Sequence, residues 1–173
     1  HKDSENKQWS FEKVFSSLVT NFGGHASEKR FYNMDGSWGI TQDMAMATHM
    51  AKLAVQKMGM GPKTGRISVE RNQLGMSDIS EELKARMDSD MEVFLKNAET
   101  ASDKIIEAYS DFVDVFAEKY KDIVGTGDCI ISSDEFSKML EDWKKTLSEE
   151  KLKELDALEG EILDIITKTK KGE

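Results

Sequence analysis

Few side chains in this sequence could hold a metal or move a proton. Its histidines are His1, His25 and His49, and its one cysteine is Cys129. No two histidines stand four apart, the spacing that puts both on one helix face to share an ion. Asp43 is the more informative residue. It falls in the first turn of GITQDMAMATHMAKLAVQKMGM, residues 39–60, beside a face of methionine and alanine. A carboxylate there is either a helix-end acid favoured by the helix dipole or a metal ligand. His49 lies six residues further on, about 240° around a helix, so it cannot share an ion with Asp43 locally.

Other chemistries find less support. Cys129 follows an acid, which raises a thiol pKa, so a cysteine nucleophile is not expected. VGTGDCIISSDEF, residues 124–136, resembles the end of a calcium-binding EF-hand loop. With Glu135 as its last ligand, however, Val124 and Cys129 fall where the loop needs an oxygen donor and a glycine. A loop between helices, with Ser132 or Ser133 as N-cap, explains it better. No phosphate-binding Gly-x-x-x-x-Gly-Lys-Ser/Thr motif is present.

The elements that must position Asp43 are helices. The chain has 173 residues, enough for one domain with a real core, a single proline (Pro62) and few β-branched runs. One third of the residues are charged, 38% are hydrophobic, and the formal net charge is -9. That balance argues against a nucleic-acid surface and against binding to anionic membranes. No apolar run approaches the roughly 18 to 20 residues needed to span a bilayer. HKDSENKQWS at the start has no signal-peptide core. It reads as the abrupt beginning of a fragment, with His1 as a tag remnant. The lone cysteine excludes an internal disulfide and suits a reducing compartment.

Periodicity predicts about five helices. The first runs from Ser10 to Phe31 on a stripe of Phe11, Val14, Phe15, Leu18, Val19 and Phe22. Gly23 and Gly24 interrupt it, and close approach of another backbone or helix is the expected reason. A turn-rich loop at 32–38 leads to a second helix ending near Lys57, with Thr41 as N-cap. Its expected apolar face is Met44, Ala47, Ala51, Ala54, Val55 and Met58. Met44, Met46, Met50, Met58 and Met60 read as core filler rather than a binding surface. GMGPKTG, residues 59–65, ends this helix, and a short strand is allowed at most in the 66–72 loop.

Ser80, Glu81 and Glu82 start a long helix, with a break expected near Ala101–Asp103 or near Ser110. Further helices run over Ser133–Lys145 and Ser148–Lys168. Leu155, Leu158, Ile162 and Ile165 space like a short heptad seam, too brief for a coiled coil. The expected division is a helical domain over 1–145 and an amphipathic helix over 146–173. That helix either packs on the domain or serves association.

An ordered series of motifs adds to this. FGGHASEKRF at 22–31, SWGITQDMAMATHMAKLAV at 37–55, KMGMG at 57–61 and SEELKARMDSDM at 80–91 follow one another. The series resembles the proteolytic domain of the FtsH family, membrane-anchored AAA-plus zinc metalloproteases. Gly23, Gly24, Ala26 and Glu28 match the first element of that family. Gly39, Asp43, Ala47 and Thr48 match the second, Gly59 and Met60 the third, and Ser80, Glu81 and Asp88 the fourth. The resemblance covers about residues 10–140.

It implies an all-α bundle in which Asp43 is the third protein ligand of a catalytic zinc. Glu28 would be a carboxylate orienting a zinc-bound histidine, or else a solvated helix glutamate. His25, where the family has arginine, reads as a packed or surface residue. The other two zinc ligands come, in the family, from His-Glu-x-x-His on an earlier helix. This sequence lacks that motif. The stretch in hand therefore carries half a zinc site, should not hydrolyse peptides alone and is expected to bind no zinc alone.

The resemblance also implies a parent assembled as a hexamer, homo- or hetero-, that degrades membrane or misfolded proteins. It would meet the membrane only through segments absent here, with this domain in the cytoplasm or an organelle matrix or stroma. The alternative is a degenerate, catalytically silent peptidase-like module serving assembly or substrate binding. The residues Trp38, Ile40, Thr41 and Gln42 and the histidine at 25 depart from the family pattern and speak for it. An unrelated acidic helical interaction domain is the third reading.

Overall fold

Serine caps set the helix starts. The hydroxyls of Ser10, Ser80, Ser132 and Ser148 each accept the backbone N–H three residues on, at 3.1–3.3 Å. The computed structural model describes residues 9–34, 36–69, 79–121 and 131–173. Within them lie α1 (Phe11–Tyr32), a 3-10 turn (Trp38–Ile40), α2 (Thr41–Gln56), α3 (Glu81–Ala108), α4 (Ser110–Tyr120), α5 (Ser133–Lys144) and α6 (Glu149–Lys171).

The fold is all-α, with six helices among the described residues where about five are predicted. The extra one arises because the long helix breaks at Tyr109, whose φ of -102° and ψ of 14° leave the helical region. The break re-aims the chain so that Tyr109 and Phe112 both meet Trp143. No strand forms over residues 66–69. Instead the Val69 N–H reaches back to the Gln56 carbonyl at 2.8 Å. The rest of the 66–72 segment, Cys129 and most of the 124–136 loop lie outside the described residues.

The core is a triangle of α1, α2 and α3. Phe15, Leu18 and Phe22 of α1 meet Ala47, Ala51 and Ala54 of α2 and Phe94, Ala98 and Ala101 of α3. Alanine on two of the three faces lets the backbones come close, so the α1 aromatics fill the space between them. Ile162, Ile165 and Ile166 of α6 close the open side. Leu155 and Leu158 are buried too, so the heptad-like seam is used within the chain. A second cluster, Phe112, Trp143 and Leu155, ties α4, α5 and the start of α6 together.

A buried carboxylate organises the loop after α2. Asp90 is fully buried on α3. Its oxygens accept the backbone N–H groups of Lys63, at 3.1 and 3.2 Å, and of Thr64, at 2.7 Å. A Cβ on Gly61 would stand 2.5 Å from Asp90 Oδ2, so glycine is required there. The C-terminal turn of α6 docks on the same loop: a Cβ on Gly172 would meet Pro62 Cγ at 3.0 Å. Asn97 of α3 holds that turn by donating to Thr169 Oγ1 at 2.9 Å and to the Glu173 carbonyl at 2.8 Å.

Candidate functional site

Asp43 lies in the first turn of α2, half-buried. The predicted N-cap at Thr41 is not what precedes it. Ser37 caps the 3-10 turn, its Oγ accepting the Gly39 N–H at 3.0 Å. Thr41 is already helical, and Ile40 holds the cap position without a side-chain hydrogen bond. The 3-10 turn thus feeds directly into α2 and presents the Asp43 side chain towards α1.

Gly24 faces it. A Cβ on Gly24 would lie 3.5 Å from Asp43 Oδ2 and 3.9 Å from Ile40 Cγ2. Both are ordinary contact distances, so the expected close approach does not by itself require glycine at 24. It does not explain Gly23 either, whose Cβ would meet nothing within 4 Å. Glu28 stands four residues beyond Gly24, on the same face of α1. Its Oε1 accepts the Ser37 hydroxyl at 2.6 Å. Gly39 is packed between them, since its Cβ would lie 3.1 Å from Ser37 Oγ and 3.4 Å from Glu28 Oε1.

Two carboxylates on this seam have an oxygen without a protein partner among the described residues. Glu28 Oε2 is buried without a hydrogen-bond partner, an arrangement that costs free energy and is rare in folded proteins. Asp43 has no hydrogen-bond or ion-pair partner among the described residues. Around them the surface is apolar and open. Trp38 is 91% exposed, and Tyr32, Met34, Met44 and Met46 are exposed as well. The expectation of core filler therefore fails for Met44 and Met46. It holds for Met50, Met58 and Met60, which pack on the core.

The remaining candidates lie apart from the seam or do other work. Thr48 is exposed, and its hydroxyl donates to the Met44 carbonyl at 2.9 Å. His49 is exposed. His25 is largely buried, with Nε2 3.4 Å from Glu99 Oε1 and Nδ1 without a hydrogen-bond partner. Asp88 is exposed, whereas its neighbour Asp90 is the buried acid. Sequence reasoning missed Asp90 and Ser37. Asp90 left a signal: it interrupts the apolar stripe three residues after Met87 and four before Phe94.

Whether this seam can hold zinc is a matter of donors. A catalytic zinc takes three protein ligands. Among the described residues no three His, Cys, Asp or Glu side chains gather within reach of one ion. Asp43 fits the part of a single ligand, and Glu28 Oε2 fits an acceptor for the N–H of a ligating imidazole. The described residues bring together fewer donors than a whole metal centre needs.

Comparison with known proteins shows the family. The sequence profile of peptidase family M41 matches residues 2–123. The chain belongs to peptidase family M41. It is 27% identical over 127 residues to an ATP-dependent zinc metalloprotease FtsH of Corynebacterium glutamicum, covering 68% of this chain and 15% of that protein. Over 116 residues it is 25% identical to the YME1 homolog of Schizosaccharomyces pombe, also an ATP-dependent zinc metalloprotease, covering 66% and 16%. A Neorickettsia risticii FtsH is 26% identical over 159 residues, covering 88% of this chain and 25% of that protein. The chain thus spans a quarter or less of the length of these M41 relatives. No helix among its described residues is long and apolar enough to cross a membrane.

Proposed function

We propose that this chain is the C-terminal part of the proteolytic domain of an FtsH-like ATP-dependent zinc metalloprotease. Asp43 supplies one carboxylate to a catalytic zinc, and the other ligands come from polypeptide outside this sequence. Bound zinc would polarise a peptide carbonyl and lower the pKa of a water. The work of this chain's own residues is positional. The 3-10 turn and Gly24 hold the Asp43 carboxylate at the α1–α2 seam. Ser37 fixes one oxygen of Glu28 and leaves the other free to accept an imidazole N–H.

The observation that carries this reading is Asp43: an unpaired, half-buried carboxylate beside a buried orphan oxygen, inside an exposed apolar surface. A helix-end acid would need neither the orphan nor the apolar frame. Trp38 and Met46, which lie outside any groove shared with α3, are the natural seat of the rest of the domain. In the complete protein, subunits form a hexamer that degrades membrane or misfolded proteins. It is anchored by segments outside this sequence, with this domain in the cytoplasm or an organelle matrix or stroma.

The test uses the complete protein from the native reading frame, as wild type and as Asp43→Asn. Zinc content and ATP-dependent degradation of casein are measured together. The substitution should abolish degradation and lower bound zinc while leaving the helical circular-dichroism spectrum unchanged, the melting temperature falling only by the stabilisation that the lost zinc supplied. A variant that keeps both zinc and degradation overturns the assignment. A native frame without zinc-binding histidines would leave a peptidase-shaped binding module.

A further inference from the structure

A groove of about 430 Å³ runs between α1, α2 and α3, on the flank that carries His25. Its floor is apolar: Phe22, Met44, Met91 and Leu95. Its rim is acidic: Asp88, Glu92 and Glu99, against the single cation Lys96. Asp88 and Glu92 have no ion-pair partner among the described residues, and Glu99 has only His25. These carboxylates are therefore available to an incoming charge rather than spent on the fold. His25 adds a second polar group, its Nδ1 buried and without a hydrogen-bond partner. The α3 positions that line the groove span Asp88 to Glu99, about 16 Å or three turns of helix.

We infer that this groove binds a cationic amphipathic segment of a partner protein. A docked helix would set apolar side chains at i, i+3 and i+4 on the methionine and leucine floor, and lysine or arginine against the rim. Both features are needed. An apolar floor alone would take any hydrophobic chain, and the acidic rim excludes acidic ones and speeds encounter with basic ones. Methionine suits the floor because its flexible thioether repacks against varied partners. A second copy of this chain is a poor occupant, since the net charge of -9 sets like against like. This inference is independent of whether Asp43 holds a metal.

The experiment uses this chain and a labelled 18-residue Leu/Lys amphipathic peptide, with its Leu/Glu counterpart as control, followed by fluorescence anisotropy. The Leu/Lys peptide should bind, weaken several-fold between 0.05 and 0.3 M salt, and shift the His25 imidazole resonances. D88N/E92Q/E99Q should weaken binding about tenfold or more, and Met44→Lys likewise. The decoy variant E141Q/E150Q/D156N removes the same charge on α5 and α6 and should bind as wild type. All these positions except half-buried Glu99 are exposed, and thermal melts check that each variant is folded. Equal losses in groove and decoy variants, equal binding of both peptides, or binding without a change at His25 would each overturn the inference.

Discussion

Asp90 and Asp43 are carboxylates on neighbouring helices of one bundle, and their surroundings are opposite. Asp90 is fully buried and saturated by backbone N–H groups of the loop it organises. Asp43 is half-buried and has no hydrogen-bond or ion-pair partner among the described residues. A buried acid that accepts every nearby donor is part of the scaffold, and removing it leaves those donors stranded. An acid held in place by packing alone is free for something not yet bound. The same residue type is thus spent on the scaffold at one site and left unspent by it at the other.

The widest separation should come from truncating each acid. Asp90→Ala strands the Lys63 and Thr64 N–H groups and should cost on the order of 3 kcal/mol. Asp43→Ala removes no hydrogen bond and should change stability by less than about 0.5 kcal/mol. Urea unfolding at neutral pH, with a common m-value, measures both. Equal losses would erase the distinction between scaffold and site.

Gly61→Ala sharpens the Asp90 half. The new methyl would sit 2.5 Å from Asp90 Oδ2 and 3.0 Å from Thr64 Cβ, so carboxylate or loop must move. Overpacking of this kind costs about 1–3 kcal/mol. In the Asp90→Ala background the methyl meets a vacated space, and the added cost should largely disappear. A double-mutant cycle reads that coupling, and strict additivity would show that the two groups do not share the loop.

The glycine pair sharpens the Asp43 half with a smaller effect of opposite sign. Gly23 has open space around its missing side chain, so Gly23→Ala should gain about 0.5–1 kcal/mol of helix stability. Gly24→Ala enjoys the same propensity but sets a methyl 3.5 Å from Asp43 Oδ2. That is ordinary contact, so it too should fold, while it adds a methyl beside the oxygen that we propose binds zinc. In the complete protein Gly24→Ala should therefore lower zinc content and Gly23→Ala should not. Loss of zinc from both would place the requirement in the helix rather than in the seam.

How far this was legible depends on whether the cause is local. Serine starts at Ser80 and at the 132–133 pair, the α1 stripe and the alanine face of α2 follow from spacing and capping chemistry alone. The Asp43 position came from the ordered motif series. What the sequence could not show depends on contacts distant along the chain. Asp90 works on a loop 26 and 27 residues away, and its clash partner Gly61 reads in isolation as a helix stop. The exposure of Met44 and Met46 is a second case. Helical period places methionine on a face, but only the packed bundle shows where that face is left uncovered. Ser37 could have been found, because a serine ahead of Trp38–Ile40 is a cap signal for a short turn.

The smallest effect joins the two ends of the described bundle. Lys170 of α6 donates to Glu12 of α1, and this contact, helped by the Ser10 hydroxyl and backbone, lowers the Glu12 pKa from its ordinary 4.5 to about 2. A carboxyl depressed on folding stabilises the fold above its unfolded pKa, and that stability is lost as pH falls through its folded pKa. Wild type should therefore melt slightly above Glu12→Gln at neutral pH. The gap should stay constant down to about pH 4.5, narrow below it, and close near pH 2. Because both groups are solvent-facing, salt should shrink the gap at every pH. A gap that ignores pH and salt would assign the effect of the substitution to packing at the α1–α6 contact, where the Lys170 ammonium also lies 5.2 Å from the centroid of the Phe11 ring, rather than to the Glu12 charge.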